Sequence, residues 1–192
     1  MPSKTIGVLA GAFNPLTRAH LALIEAGLNV VDEVICVVPG LYPHKQMEGA
    51  RIEERLAMLR AAGDHFSVVT TRGGLFEEIA SELRTTRPDA SFEFLCGRDA
   101  AERVLNWNYG PGHSVEAMLR NFGLLVAARQ GEFVPPPHLS LRVRALPIER
   151  AYDDHSSTEV RRRVAAGEPW EHLVPESTVE MIGRIYAARS TA

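Results

Sequence analysis

Short apolar runs alternate with longer amphipathic stretches along the whole chain, and this alternation limits its folds more than any other feature. Residues 6–10, 34–38, 66–70, 92–96 and 124–128 are apolar and largely β-branched or aromatic. Between them lie patterns of helical spacing: Leu21, Ile24 and Leu28, then Ile52, Leu56 and Leu59, then residues 75–83, with shorter ones at 99–105 and 115–119. A sixth apolar run, 139–146, follows Pro135-Pro136-Pro137, and two more helices are expected at 158–166 and 178–188. Strands that are apolar throughout are those buried on both faces of a parallel sheet. Their alternation with helices predicts right-handed crossovers and a doubly wound α/β architecture.

The expected fold is a Rossmann-like, doubly wound parallel sheet of about five to six strands with a helical C-terminal segment. No repeat or long linker divides the 192 residues, so they read as one domain. Residues 1–150 form its core and residues 151–192 its C-terminal segment. In such sheets ligands gather at the carboxyl ends of the strands, near the point where strand order reverses.

Composition removes several functional classes. Hydrophobic residues make up 45% of the chain, too many for wholesale disorder. The formal net charge of −3 argues against a general nucleic-acid binder. Lys4 and Lys45 are the only lysines, and the other cations are arginines. Cys36 and Cys96 sit inside apolar runs and read as free buried thiols, which fits a reducing, cytoplasmic setting. The N-terminus reads as a first strand rather than a signal peptide, and no run is long enough to span a membrane. Homo-oligomer formation stays open.

Two segments carry the chemistry. The first follows strand one: Gly11-Ala12-Phe13-Asn14-Pro15-Leu16-Thr17-Arg18-Ala19-His20. Thr17 suits an N-cap, which places His20 in the first helical turn. Unpaired N–H groups and the helix dipole make that turn an anion site, and they favour a neutral imidazole that donates a hydrogen bond. The segment matches neither the GxGxxG dinucleotide fingerprint nor a Walker A loop. The second segment is Ser156-Ser157-Thr158-Glu159-Val160-Arg161-Arg162-Arg163. Ser156 and Glu159 fit a capping box, and Gly167 and Pro169 mark the helix end. Three arginines so near a helix start oppose its dipole. Arg161 is spaced to grip a polyphosphate, and Arg162 and Arg163 suit ion pairs or solvent.

GAFNPLTRAH resembles the GxFxPxHxGH/TxGH motif of the nucleotidylyltransferases, and SSTEVR resembles their ISSTxxR motif. Further segments narrow the resemblance to the nicotinate/nicotinamide mononucleotide adenylyltransferases. Pro43-His44-Lys45 with Arg51 and Arg55 resembles their PHK…R segment, Gly97-Arg98-Asp99 with Trp107 their GxD…W segment, and Arg129-Gln130-Gly131 their RPG turn. There are departures: Asn14 stands where many bacterial members have Asp, Thr17 where many have His, and Ala19 where Gly is usual. Gly73-Gly74-Leu75-Phe76 occupies the place of a Ser-Tyr-Thr segment that helps recognise the pyridine.

The resemblance implies transfer of the adenylyl group of ATP to nicotinate or nicotinamide mononucleotide. The products would be deamido-NAD or NAD and pyrophosphate, formed by direct in-line attack without a covalent enzyme intermediate. It implies catalytic roles for His20, Thr17, Lys45 and Arg161. ATP would meet Gly11, Ala12, Phe13, His20, Gly97, Asp99, Arg129, Ser156, Ser157, Thr158 and Arg161. The mononucleotide would meet Asn14, His44, Lys45, Arg51 and Trp107. Mg²⁺ would bind mainly through the ATP phosphates, with no side-chain metal site. Several residues also fit plainer roles: Lys45 an exposed loop cation, Asp99 a helix cap, Trp107 core packing and Arg129 an ion pair. The alternatives are a phosphopantetheine adenylyltransferase, another small-molecule nucleotidylyltransferase, or a non-catalytic nucleotide-binding homologue.

Overall fold

The structure, a computed structural model, describes residues 4–41, 49–106, 114–127, 133–148, 152 and 155–187. Its strands are β1 (Thr5–Ala10), β2 (Glu33–Pro39), β3 (Ser67–Thr71), β4 (Ser91–Gly97), β5 (Gly123–Ala127) and β6 (Val143–Ala145). Its helices are α1 (Arg18–Leu28), α2 (Ile52–Ala62), α3 (Phe76–Thr86), α4 (Arg98–Asn106), α5 (Val115–Met118), α6 (Ser157–Ala166) and α7 (Val179–Ala187). The strands form one six-stranded sheet in the order β3-β2-β1-β4-β5-β6, and every pairing is parallel. Strand order therefore reverses between β1 and β4, and Gly11 and Gly97 lie at the carboxyl ends of those two strands.

Alternate strand residues feed two separate cores, as the period-two pleat requires. Ile6, Val8, Ile35, Val37, Phe94 and Val126 pack with Ile79 and Leu83 of α3, Ala101 of α4 and Met118 of α5. Leu9, Val34, Cys36, Val38 and Leu95 face the other way, onto Leu23 and Ile24 of α1 and Leu59 of α2. α1 lies close to the sheet because Gly27 has no side chain: a Cβ there would sit 2.6 Å from Leu95 Cδ1. A third cluster joins Met58 of α2 to Val160 of α6 and to Ile182 and Tyr186 of α7, which docks the C-terminal segment. Both cysteines are free, and burial pushes each thiol up to about 12, so neither is a ready nucleophile. Among the described residues, no helix is long and apolar enough to cross a membrane.

The sixth run is shorter than its sequence suggests. Pro137–Leu139 form a 3-10 turn, and only Val143–Ala145 pair with β5. Leu139, Val143 and Leu146 are the buried members, whereas Leu141 is 91% exposed. The apolar residues thus anchor a turn and a short edge strand rather than a continuous buried one. The last helix begins at Val179 because Thr178 ends a 3-10 turn and its hydroxyl donates to Pro175 O.

A half-buried acid sits within the sheet. Glu93 on β4 pairs with Arg144 on β6 at 3.3 Å and lies opposite Gly123, where a Cβ would come within 2.2 Å of its Oε2. Burial raises the Glu93 carboxyl above its usual value, although Arg144 and Arg142 pull it down. A carboxyl raised in the folded state favours folding below its unfolded value and loses that contribution as pH rises through the folded one. Glu93→Gln should therefore gain stability relative to wild type between pH 4 and pH 7, read as the difference in urea midpoints. Equal differences at both pH values would contradict this.

Candidate active site

The loop from Gly11 to Thr17 leaves the β1 end of the sheet, with Gly11 N–H donating to Val37 O at 3.0 Å. Its carbonyls are held from outside. Arg55 Nη1 on α2 donates to Ala12 O at 3.1 Å, and Ser157 Oγ on α6 donates to Pro15 O at 2.7 Å. Arg161 Nη1 donates to Asn14 O and, at 3.2 Å, to Ser157 O. Thr17 Oγ1 lies 3.0 Å from His155 O and donates to it. The two sequence motifs, at opposite ends of the chain, are thus stitched into one site at the switch point.

Phe13 adopts φ +46°, the left-handed region, which costs an L residue roughly 1–2 kcal/mol. Its ring is fully buried with Leu16 and Leu23, and the tethered carbonyls on either side hold the turn in place. Such strain persists only where the surroundings determine the backbone strongly, as they do at functional sites.

Thr17 is the N-cap of α1, in extended conformation. Its N–H donates to His20 Nδ1 at 3.0 Å, and its Oγ1 lies 2.8 Å from the same nitrogen. A nitrogen that accepts an N–H bond carries no proton, so neutral His20 holds its proton on Nε2. The imidazole, half-buried and 5.1 Å from the Phe13 ring, is oriented as a donor at the start of a helix.

At the second motif, Ser156 caps α6 by accepting from Glu159 N–H at 3.1 Å. The expected capping box is only half formed. Glu159 turns to Arg162 and Arg163, with contacts of 2.7–2.9 Å, instead of reaching back to Ser156 N–H. Hydrogen bonds from those guanidinium groups hold the Glu159 carboxyl down to about 2. Arg162 also pairs with Glu168, and Arg163 donates to Pro169 O. These partners offset the cations that oppose the dipole. Arg161 points instead to the β1 loop and also lies 3.4 Å from Thr158 Oγ1. The helix ends at Gly167, in left-handed conformation.

The remaining expected residues are spread more widely. Gly97 ends β4, and α4 begins at Arg98, so Asp99 lies within the first turn and is not its cap. A carboxylate there is favoured by the helix dipole. Arg51 is the exposed N-cap of α2 and pairs with Glu54 at 3.4 Å. Asn14 is 6% exposed, and its Oδ1 accepts from Ala50 N–H at 3.0 Å and from the Tyr186 hydroxyl. Gly74 and Leu75 both donate backbone N–H groups to Glu78 Oε2 at 3.0 Å, so the segment standing in for Ser-Tyr-Thr spends its amides on capping α3. His44, Lys45, Trp107 and Arg129 lie outside the described residues.

The structure gives two further residues a place at the site: Arg55, which the sequence offered only within the PHK…R resemblance, and Tyr186, which it did not offer at all. Arg55, 5% exposed, looks like one edge of an amphipathic helix until α2 docks against Ala12. Tyr186 carries no local signal, because its partner is 172 residues away.

The family described as Cytidylyltransferase-like matches residues 8–163. Curated relatives extend the match over nearly the whole chain. A protein of Clavibacter michiganensis is 30% identical, covering 98% of this chain and 96% of its own length. One of Gloeobacter violaceus is also 30% identical, covering 93% of each. Both are named "Probable nicotinate-nucleotide adenylyltransferase". This chain belongs to the nicotinate-nucleotide adenylyltransferase family. It is a nucleotidyltransferase, and adenylyl transfer is the family reaction. The fold agrees: Plasmodium falciparum nicotinic acid mononucleotide adenylyltransferase complexed with NaAD superposes with a TM-score of 0.70 at 16% identity, covering 94% of this chain and 95% of that one.

Proposed function

We propose that this protein joins the adenylyl group of ATP to nicotinate mononucleotide, giving deamido-NAD and pyrophosphate. The observation that carries the reading is His20 at the switch point, locked by Thr17 into the Nε2–H form and tied through its loop to the Ser157–Arg161 turn. The family's curated relatives, named for nicotinate-nucleotide adenylyl transfer, support the choice of acceptor.

In this mechanism a phosphate oxygen of the mononucleotide attacks the α-phosphorus of ATP in line. A new P–O bond forms, the bond from the α-phosphorus to the bridging oxygen breaks, and pyrophosphate leaves with that electron pair. The attacking phosphate is already ionised, so the protein supplies no nucleophile. Its contribution is alignment and stabilisation of charge in the transition state. His20 Nε2–H donates to a non-bridging α-phosphate oxygen. Arg161, whose guanidinium has five donors, and the hydroxyls at the α6 start hold the β- and γ-phosphates. Gly97 and Asp99, on the neighbouring strand end, face the adenosine. The resemblance assigns Lys45, His44, Arg51 and Trp107 to the mononucleotide and Arg129 to the adenine side.

Imidazole, guanidinium, amide and hydroxyl donors suit phosphate oxygens rather than a bare cation. Mg²⁺ would therefore be held by the phosphates and water, where it neutralises charge. The Gly74–Leu75 turn, whose amides go to Glu78 where a Ser-Tyr-Thr segment would meet the pyridine, makes phosphopantetheine the second candidate acceptor. A steady-state assay of pyrophosphate release, with MgATP and each of nicotinate mononucleotide, nicotinamide mononucleotide and phosphopantetheine, tests the reading. The highest kcat/KM should fall to nicotinate mononucleotide. ATP binding by calorimetry with no pyrophosphate from any acceptor would instead make this a non-catalytic homologue.

A further inference from the structure

We propose that Tyr186, in the last turn of α7, is a positioning residue for His20 and acts through Asn14. Tyr186 is 5% exposed, and its hydroxyl donates to Asn14 Oδ1. Its ring is already accommodated by the apolar cluster around Met58, Val160 and Ile182, a role phenylalanine could fill. The hydroxyl does something the ring cannot: it ties the C-terminal helix to the loop between β1 and α1.

Asn14 is where three parts of the molecule meet. Its Oδ1 takes the Tyr186 hydroxyl and, at 3.0 Å, Ala50 N–H, while its backbone carbonyl takes Arg161. The approach of the 49–50 segment depends on Gly49, which has φ +95° and where a Cβ would fall 2.8 Å from Asn14 Oδ1. Asn14 follows Phe13, whose left-handed backbone is unfavourable unless its neighbours are held. Three residues on, Thr17 N–H selects the His20 tautomer. Removing the Tyr186 hydroxyl loosens Asn14, lets the loop relax toward ordinary backbone geometry, and moves Thr17 N–H relative to Nδ1. Hydrogen bonds weaken steeply as their alignment is lost. Both Tyr186 and Asn14 are buried, so the tie is shielded from competition by water.

This inference rests on His20 being the phosphate donor of the proposed reaction, yet its main readout does not depend on turnover. In the full chain with ¹⁵N-labelled histidines, the ring nitrogens of His20, assigned by comparison with His20→Ala, should report the Nε2–H tautomer. Tyr186→Phe should shift them toward a mixture of the two tautomers. In the same variant kcat should fall about 10-fold, the scale of a sub-ångström misplacement, with the KM for ATP within about two-fold. Ile182→Val, in the same helix and cluster but without a bond to the loop, supplies the control. It should lower the melting temperature while leaving the tautomer and kcat as in wild type. A Tyr186→Phe protein with the wild-type tautomer and wild-type kcat would overturn the proposal. So would parallel changes in both variants, which would mark a purely structural role. If wild type turned over none of the acceptors, the function reading would fail, and the tautomer comparison would still decide the tie between Tyr186 and His20.

Discussion

His20→Ala should lower kcat by about 10²–10³, the loss expected when a preorganised donor to developing transition-state charge is removed. In the proposed mechanism the part of this side chain that matters is its Nε2–H. Thr17 N–H at 3.0 Å occupies Nδ1, so the proton is on Nε2 before substrate arrives and no tautomer change precedes the reaction. The same bond helps cap α1, so the variant should also lose stability, by about 1 kcal/mol, the usual worth of a helix cap. The two effects separate experimentally. A thermal melt reads the cap, and kcat measured well below the melting temperature reads the donor. A variant that melts earlier but turns over at the wild-type rate would remove His20 from the mechanism.

Arg161→Met should lower kcat/KM for ATP by about 10²–10³, because it removes both the cation proposed to hold the β- and γ-phosphates and the clamp on Asn14 O. Leaving that carbonyl without its donor adds a stability loss of about 1–3 kcal/mol. Arg161→Lys should recover little, since an ammonium cannot reproduce the planar fork whose Nη1 holds Asn14 O and Ser157 O while its Nη2 faces Thr158 Oγ1. Arg162 is the internal control. It is the adjacent cation on the same helix, but it is spent on Glu159 and Glu168 at the exposed surface, and Arg162→Met should leave kcat/KM within about two-fold. Equal losses at the two positions would mean that charge on α6, rather than the Arg161 geometry, drives the effect.

The contrast between Arg161 and its neighbours shows what can be read from sequence and what cannot. The sheet was legible because burial on both faces leaves an unmistakable run of apolar residues, as in β2, where Val34–Pro39 are all buried. The run at 139–146 misled because apolar residues that anchor a turn look the same as those that fill a strand. Local caps were legible too. Ser156 caps α6 with its hydroxyl as the spacing predicts, because capping is decided within one turn, whereas Thr17 takes the N-cap position of α1 but gives its hydroxyl to His155 O. The choice Glu159 makes is not local. It could return to the cap or bind two arginines, and charge-assisted bonds at 2.7–2.9 Å win. Contacts such as Arg55 with Ala12 and Tyr186 with Asn14 leave no pattern at all, since their partners are set only when α2 and α7 dock.

The most direct test of the account is a single competition reaction. Equimolar nicotinate mononucleotide, nicotinamide mononucleotide and phosphopantetheine are mixed with limiting MgATP and the protein, and the products are identified by mass spectrometry. Deamido-NAD as the predominant product, in equal amount to pyrophosphate, is the predicted result. Predominance of NAD or of the phosphopantetheine adduct, or no adenylylated product at all, would contradict it.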